Sequence, residues 1–253
     1  MEIAGKKAII VGGASGMARA SAEMLRERGA DVAILDRPQS DGAEVAKALG
    51  GGFFPLDVTD DEETEQAILG AVEALGGLHI SVNTAGGGMA KRTLTKEGPH
   101  PLGEFRRTVE LNLISSFNVA RLAADAMSKN EPDDGEERGV IISTASIAAF
   151  EGQIGQVAYT AAKAGIAGMQ LTMARDLGSL GIRTLAIAPS LFATGITQGI
   201  PEDFEKVLTK DAAFPKRMGR PEEYGRLVCA IVENPMLNGQ CIRLDAGQRF
   251  APK

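Results

Sequence analysis

Short apolar segments alternate with longer amphipathic segments along the whole of this 253-residue chain. The apolar segments are rich in Ile, Val and Leu, which is typical of strands that are buried on both faces of a sheet. Each strand is followed by a segment with helical periodicity, so we expect parallel strands with helices covering both faces. The alternation therefore predicts an α/β sheet. The predicted strands are 7–11, 31–35, 52–56, 78–83, 139–145, 182–188 and 239–244.

The intervening segments predict helices and two long loops. Thr59, with Glu62 three residues later, is typical of a capping box that opens a helix. Residues 130–138 are charged and contain helix breakers, which indicates a solvated connection. Residues 189–215 follow the carboxyl end of a strand, where open α/β sheets bind ligands. This loop is either a lid over a substrate or an ordinary surface loop, and the sequence leaves both interpretations open. The predicted helices are 16–28, 40–49, 60–75, 102–129, 155–179, 201–210 and 221–233.

Composition limits the classes of function. The net charge of −6 does not favour nucleic acid or an anionic membrane as a partner, because both need basic surfaces. No apolar run approaches the roughly 20 residues of a membrane span, and the first residues are not typical of a targeting peptide. The two cysteines, Cys229 and Cys241, are predicted to be reduced thiols. These observations together predict a cytoplasmic protein.

A glycine-rich turn with the sequence VGGASGMA occupies residues 11–18, between the first predicted strand and the first predicted helix. Gly12 and Gly16 allow a tight turn and a close approach of the backbone to a ligand. The N-terminus of the helix presents free N–H groups to a pyrophosphate. A glycine turn alone is weak evidence, but its position at this junction predicts a dinucleotide site.

An acidic residue, Asp36, ends the second predicted strand twenty residues after Gly16. A carboxylate at this place accepts hydrogen bonds from the adenosine ribose and repels a 2′-phosphate. The turn from Gly12 to Ala18 contains no Lys or Arg that would neutralise such a phosphate. Arg37 complicates this interpretation, because it can bind a phosphate if Asp36 turns away. The pattern favours NAD over NADP.

Two further strand ends carry polar or small residues. Asp57 ends the third predicted strand, where it either contacts the adenine or stabilises the turn before the next helix. Asn83 ends the fourth strand, where it stabilises the neighbouring turn, faces the cofactor, or does both. Ala85 and Gly86 follow it, and small residues are what a backbone lying against a cofactor requires.

Tyr159 and Lys163 lie one helical turn apart, so the phenol and the ammonium share one face of a helix. A free phenol has a pKa of about 10, which is too high for a base near neutral pH. A cation about 4 Å away contributes about 1 kcal/mol in water but about 4 kcal/mol at an effective dielectric constant near 20. Only the second value shifts a pKa by about three units. The spacing predicts an acid–base pair that needs a partly dry pocket.

Two polar residues complete the predicted catalytic group. Ser146 follows the fifth predicted strand, where its hydroxyl either orients a substrate oxygen or satisfies a turn. Asn112 lies within an apolar helical segment, where it binds the backbone, or a water that links Lys163 to solvent. We expect no metal site, because His79 and His100 lack ligand spacing.

In this order, the glycine turn, Asn83-x-Ala-Gly86, Asn112, Ser146, Tyr159-x-x-x-Lys163 and Pro189 resemble the short-chain dehydrogenase/reductase superfamily. The resemblance covers the whole chain and implies one Rossmann-type doubly wound domain over residues 1–253, with a seven-stranded parallel sheet flanked by helices. It also implies a homotetramer and an NAD cofactor. The cofactor contacts that it implies are Gly12, Ser15, Gly16, Met17, Asp36, Asp57, Val58, Asn83, Ala85, Gly86, Tyr159, Lys163, Pro189, Leu191 and Thr194.

Four stretches are similar to the superfamily members that act on 3-hydroxyacyl-CoA thioesters, namely 130–133, 149–156, 187–192 and 233–239. This likeness implies oxidation of a secondary alcohol in a short or branched 3-hydroxyacyl-CoA. Gln153, Gln156 and Phe192 are candidate substrate contacts. A 3-oxoacyl carrier-protein reductase, a hydroxysteroid or other alcohol dehydrogenase, and a non-catalytic NAD-binding regulator are the alternatives. Retention of Ser146, Tyr159 and Lys163 argues against the regulator.

Overall fold

The computed structural model describes residues 1–88, 90–195 and 202–252 of the chain. Seven strands form one parallel sheet in the order β3-β2-β1-β4-β7-β8-β9, and β5 and β6 form a separate antiparallel hairpin. The predicted Rossmann-type fold is confirmed. The strands are β1 (Lys7–Val11), β2 (Asp31–Asp36), β3 (Phe53–Pro55), β4 (Ile80–Asn83), β5 (Leu94–Thr95), β6 (Gly98–Pro99), β7 (Gly139–Thr144), β8 (Ile182–Pro189) and β9 (Cys241–Leu244).

Helices cover both faces of the sheet, as the alternating pattern predicts. A π-helical turn over Glu110–Ile114 joins α4 to α5, and 3-10 turns occupy Ile147–Ala149 and Gly178–Leu180. The α-helices are α1 (Gly16–Glu27), α2 (Gly42–Leu49), α3 (Asp61–Leu75), α4 (Leu102–Val109), α5 (Ser115–Ser128), α6 (Val157–Leu177), α7 (Glu202–Leu208) and α8 (Pro221–Glu233). Among the described residues, no helix is both long and apolar enough to cross a membrane.

Alternate residues of the central strands enter two separate apolar cores. On one face, Ile10 and Ile34 pack with α1 and α8. On the other face, Ile9 and Leu35 pack with α3 and α5. Burial on both faces explains why these strands are apolar in sequence between their ends, since their inner positions do not face water.

The strand order reverses between β1 and β4. The chain runs outward from β1 through β2 and β3 on one side, and from β4 through β7, β8 and β9 on the other. The loops that follow β1 and β4 therefore diverge, and they leave a crevice at the carboxyl ends of these two strands. The glycine turn and Asn83 both lie at this edge.

The predicted capping box at Thr59 is wrong. The helix α3 begins one residue later, because the Asp60 carboxylate accepts hydrogen bonds from the N–H groups of Glu62 and Glu63 at 3.0 Å each. Thr59 instead donates its hydroxyl to Asp57. A carboxylate that accepts two N–H groups also complements the positive end of the helix dipole, which explains why Asp60 is the better cap.

Candidate active site

Burial and a main-chain carbonyl hold the Lys163 ammonium in place. Lys163 lies on α6, is 3% exposed, and donates through Nζ to the carbonyl oxygen of Thr144 at 2.8 Å. Its Nζ lies 5.6 Å from the centre of the Tyr159 ring. Ser146, which follows β7, lies near enough to the Tyr159 phenol to lower its pKa. The structure therefore brings Ser146, Tyr159 and Lys163 together at one strand end.

Burial shifts the pKa values of both members of the acid–base pair. It lowers the pKa of Lys163 to about 8, because a buried ammonium loses its hydration. It raises the pKa of Tyr159, and the hydrogen bond with Ser146 opposes that rise. Without a ligand, then, the dry pocket disfavours both charged forms. Lowering the pKa of the phenol requires positive charge in addition to Lys163.

The π-helical turn places Asn112 against the loop that follows β4. Its side-chain nitrogen donates to the carbonyls of Gly87 at 2.6 Å and Thr108 at 2.8 Å, and its side-chain oxygen accepts from the Gly87 N–H at 3.1 Å. The side chain of Asn112 therefore binds backbone. A π-turn often marks a functional site, because its extra residue redirects a side chain.

Two glycines of the same loop border the catalytic side chains. A Cβ atom on Gly86, whose φ is 151°, would lie 2.6 Å from the Asn112 side-chain oxygen and 3.3 Å from Lys163 Nζ. A Cβ atom on Gly88 would lie 2.8 Å from the Tyr159 ring. Any side chain at these positions would displace one of the predicted catalytic residues, so glycine is required for the close approach.

The glycine turn leaves room for a phosphate at the start of α1. Gly12 and Gly16 have φ values of 80° and 56°, and a Cβ atom on Gly16 would lie 3.1 Å from the methyl group of Thr194. Ser15 is the N-cap of α1, but its hydroxyl does not cap the helix. The first turn, which includes Met17, contains no acidic residue. These residues fit the pyrophosphate of a dinucleotide, because the N–H groups and the dipole of α1 point to the turn.

Asp36 faces the glycine turn. Its carboxylate accepts from the Ala14 N–H at 2.9 Å and from the Arg37 N–H at 2.7 Å. Two backbone donors hold the carboxylate at the carboxyl end of β2, next to the turn. Asp36 is therefore not turned away from the crevice.

The predicted adenine-side residues have structural partners of their own. Asp57 accepts from both the N–H and the hydroxyl of Thr59, and these bonds lower the pKa of its carboxyl. Val58 is buried in the core that includes α3. Asn83 accepts from the Ala85 N–H at 3.0 Å, which stabilises the turn after β4.

The segment after β8 lies beside the glycine turn and then leaves the described residues. Pro189 ends β8 in register with Leu244 of β9. The carbonyl of Leu191 accepts from the Gly219 N–H at 2.9 Å, and Thr194 reaches Gly16 as described above. The predicted substrate loop 189–215 includes residues 196–201, which lie outside the described residues.

Phe192 lies in the core. It is 6% exposed, and its ring packs edge-on against Tyr224, with ring centres 6.4 Å apart. A Cβ atom on Gly219 would lie 2.6 Å from the Phe192 ring. The ring therefore packs in the core under the segment that follows β8. This placement does not agree with the prediction that Phe192 contacts the substrate.

The sequence matches the family model for the short chain dehydrogenase over residues 6–205. The chain belongs to this family. It is 48% identical over 254 aligned residues to the 3-hydroxyacyl-CoA dehydrogenase type-2 of Homo sapiens, covering 99% of this chain and 97% of that protein. The 3-hydroxyacyl-CoA dehydrogenase type-2 of Mycobacterium avium, a crystal structure, superposes with a TM-score of 0.94 at 40% identity, covering 98% of each chain.

A second solved structure bears on the cofactor. It is a 7α-hydroxysteroid dehydrogenase in complex with NADH and 7-oxo glycochenodeoxycholic acid, with a TM-score of 0.86 and 29% identity over 98% of this chain and 95% of that one. As a short-chain dehydrogenase, the present chain is an oxidoreductase that uses a nicotinamide cofactor.

A groove beside the site of this short-chain dehydrogenase contains one of the predicted substrate residues. It has a volume of about 720 Å³ and lies between the β5–β6 hairpin and the start of α6. Gln153 lines it, and the Gln153 side chain donates to the carbonyl of Ala251 at 3.2 Å. The Gln156 side chain accepts from the Gln153 N–H at 3.0 Å. The other lining residues are Arg92, Thr93, Leu94, Gly152, Ile154, Gly155, Val157, Thr160 and Ala161.

The sequence did not reveal two parts of this short-chain dehydrogenase site. The Lys163 ammonium is held by the main-chain carbonyl of Thr144, and a carbonyl leaves no trace in the residue type. Gly88 borders the Tyr159 ring, but it is one of 31 glycines in the chain. The one signal in the sequence was the position of Gly88 in the loop that follows Asn83.

Proposed function

We propose that this short-chain dehydrogenase catalyses the reversible oxidation of a 3-hydroxyacyl-CoA to a 3-oxoacyl-CoA with NAD as the cofactor. One observation supports the reaction above all others: Ser146, Tyr159 and Lys163 meet in a buried pocket at a strand end. The substrate class follows from the relatives, which are about half identical over nearly the full chain and carry that activity in their names.

The chain's own residues move one proton. In oxidation, the Tyr159 oxygen takes the proton of the secondary alcohol, and the Ser146 hydroxyl holds the same substrate oxygen. In reduction, Tyr159 returns that proton to the ketone oxygen. When bound, the oxidised nicotinamide supplies the hydride acceptor and a positive charge beside the phenol. Lys163 Nζ lies 5.6 Å from the centre of the Tyr159 ring. At a separation of this order and an effective dielectric constant near 20, a cation contributes about 3 kcal/mol, which corresponds to about two pKa units.

Asp36 supports NAD rather than NADP. Two backbone N–H groups hold its carboxylate against the glycine turn, where a 2′-phosphate would meet a negative charge. We expect NADH to bind more tightly than NADPH in a fluorescence titration. Asp36→Ala should narrow the difference between the two affinities, because it weakens the binding of NADH and strengthens the binding of NADPH. Tighter binding of NADPH by the wild type would contradict this part of the proposal.

Two of the four basic residues that could bind the phosphates of CoA are already engaged. Arg217 forms a two-pronged ion pair with Glu223 at 2.7 and 2.9 Å, and Lys91 pairs with Glu104 at 3.1 Å. Arg92 lines the groove next to Gln153, and Lys96 is exposed on the hairpin. We infer that Arg92 is the best placed of the four.

The test of the proposed substrate is NADH-linked turnover of acetoacetyl-CoA, of longer and branched 3-oxoacyl-CoAs, and of ketosteroids. We expect the thioesters to be reduced with the higher kcat/KM. Turnover of ketosteroids alone would transfer the assignment to a hydroxysteroid dehydrogenase, and a strict need for a carrier-protein thioester with NADPH would indicate the reductase. Either result would leave the family unchanged.

We also propose a homotetramer in which α6 contacts a second subunit. The outward face of α6 is apolar over Val157, Ala161, Ala164, Gly168 and Leu171, and all five residues are exposed in the single chain. A Cβ atom on Gly168 would meet nothing within 4 Å, so the chain itself gives no reason for its small size. An exposed apolar face of this kind typically marks a protein interface.

Gly165 has a different role from Gly168. A Cβ atom on Gly165 would lie 2.8 Å from the side chain of Leu113 in the same chain. Packing within one subunit therefore explains Gly165 and leaves Gly168 for the proposed contact.

The cytoplasmic location remains a proposal that rests on composition.

A further inference from the structure

A second tyrosine, on α8, is completely buried and reaches the catalytic strand end. Tyr224 has no exposed surface, and its hydroxyl lies 2.7 Å from the hydroxyl of Thr144. The Thr144 hydroxyl also lies 2.7 Å from the carbonyl of Asn83, to which it donates. Because a threonine hydroxyl has one proton, Tyr224 is the donor in the first of these bonds. Burial raises the pKa of Tyr224, so it stays a neutral donor.

Thr144 connects this bond to the catalytic cation. The pairing of β4 with β7 ends at Asn83 and Ser143, so on the β4 side the Thr144 carbonyl lies one residue beyond the ladder. That carbonyl accepts from Lys163 Nζ at 2.8 Å instead of from a strand N–H. On the β8 side, Thr144 pairs with Ile187, and the N–H that follows Thr144 donates to the Ile187 carbonyl at 2.8 Å. The two hydroxyl bonds add to this backbone pairing in fixing the last peptide of β7, and this peptide fixes the ammonium. A β-branched side chain such as Thr transmits the constraint well because it has little χ1 freedom.

Packing alone does not require the hydroxyl of Tyr224. Its buried neighbours on α8, Val228, Ile231 and Val232, are aliphatic. An aliphatic or phenylalanine side chain would fill the same space without the cost of burying a polar group. The hydroxyl points from α8 at Thr144, which is the residue that binds Lys163.

We infer that Tyr224 and Thr144 are positioning residues that hold the Lys163 ammonium beside the Tyr159 phenol. Tyr224 fixes the side chain of Thr144, and the Thr144 carbonyl fixes the ammonium. The inference rests on the proposed acid–base function of Tyr159. The groups around Lys163 are the Tyr159 ring on α6, the Thr144 carbonyl and the Asn112 amide, which borders the same glycine. Burial lowers the pKa of Lys163, and no carboxylate contributes.

The test compares Tyr224→Phe, Thr144→Val and Thr144→Ser with the wild type. The first two variants remove the hydroxyl bond, and Thr144→Ser keeps it. We expect kcat for alcohol oxidation to fall about fivefold in the first two, while KM and the Kd for NADH change less than about twofold. The pH midpoint of kcat should rise by about half a unit or more, because a less constrained cation stabilises the phenolate less. Thr144→Ser should restore both values.

Thr184→Val is the matched control. Thr184 on β8 is also fully buried, and its hydroxyl donates to the side chain of Gln170 at 2.7 Å, away from Lys163. This variant should lose stability without a change in the pH midpoint. The double variant of Tyr224→Phe and Thr144→Val should be no slower than Thr144→Val, because Thr144→Val already removes the bond to Tyr224 along with the bond to Asn83.

Three results would overturn the inference: an unchanged pH midpoint in Thr144→Val, an equal shift in Thr184→Val, or additive effects in the double variant. If Tyr224→Phe does not fold, the comparison of Thr144→Val with Thr144→Ser decides. If the wild type oxidises a different secondary alcohol, the proposed substrate is wrong. The variants are then compared on that alcohol, and the inference about Tyr224 and Thr144 is tested in the same way.

Discussion

Burial determines the properties of Lys163, the cation of the site. With 3% of its surface exposed, it interacts with Tyr159 at a low effective dielectric constant, and the same burial lowers its own pKa to about 8. A drier pocket would strengthen the interaction but would also remove the charge that produces it. The hydrogen bond to the Thr144 carbonyl offsets this loss, because it favours the protonated ammonium.

The half-buried ring of His79 makes the fold sensitive to acid. Its Nδ1 accepts from the Lys7 N–H at 3.3 Å, and burial lowers its pKa from 6.5 to about 4. Above pH 6.5 the ring is neutral in both states, so it has no effect on stability. Between pH 6.5 and about 4 the unfolded chain binds the proton first, so stability falls as the pH falls.

We expect His79→Asn to be less sensitive to acid than the wild type. Asn keeps a side-chain acceptor for Lys7 but does not titrate. Between about pH 7 and about pH 5, the wild type should lose about 1 kcal/mol more than the variant, a value reduced because the ring is half-exposed. Urea unfolding at both pH values measures the difference. Equal losses in the two proteins would contradict the assignment.

At the scale of elements, the sequence predicted the strands well because the central strands of the sheet are buried on both faces. The hairpin of β5 and β6 escaped prediction, since strands of two residues carry no periodicity. The predicted helix 102–129 is interrupted by the π-turn at Glu110–Ile114, and the cause is tertiary: the Asn112 side chain binds Gly87, which is distant in sequence. The packing of Phe192 could not be predicted for a similar reason, because its partner Tyr224 lies on α8 and is distant in sequence.

The C-terminal end of α8 is held by a buried arginine of β8. The guanidinium of Arg183 donates to the carbonyls of Ile231 and Val232 and pairs with Glu137, and the side chains of this pair are 7% and 8% exposed. A cation at this position complements the negative end of the helix dipole. A second arginine, Arg28, pairs with Glu233 of the same helix, but those side chains are 41% and 48% exposed.

We expect Arg183→Met to lower the free energy of unfolding by about 3 kcal/mol, because it leaves several buried carbonyls without a donor and the Glu137 carboxylate with the Met1 ammonium as its remaining charged partner. Arg28→Met is the control and should lose less than about 1 kcal/mol, since water replaces an exposed partner. Chemical denaturation of both variants measures the difference. A similar loss in the two would show that the burial of Arg183 is not what stabilises α8.

At the scale of the whole molecule, two cores position one crevice. The reversal of strand order next to β1 opens the sheet edge where the glycine turn, Asp36 and the loop after Asn83 converge. This much follows from strand–helix alternation. The groove at Gln153 does not, because it depends on how the β5–β6 hairpin and the tail at Ala251 pack.

The proposed assembly is tested with two leucines of equal exposure. Leu171 on α6 and Leu69 on α3 are each 50% exposed, but only Leu171 belongs to the apolar face that includes Gly168. We expect Leu171→Asp to shift the protein to smaller species in sedimentation velocity, because a charge at an interface core lacks a partner. Leu69→Asp should leave the assembly unchanged. A tetramer that tolerates Leu171→Asp would place the interface elsewhere.

The most direct test of proton transfer by Tyr159 is Tyr159→Phe, measured as turnover and NADH binding on the same preparation. The substitution removes one oxygen atom and keeps the ring against Gly88. We expect kcat to fall about a hundredfold to ten-thousandfold, the range for loss of a general acid–base group. The Kd for NADH should change by less than about threefold, which is below 1 kcal/mol. A variant that retains turnover within about tenfold of the wild type would contradict the assigned mechanism.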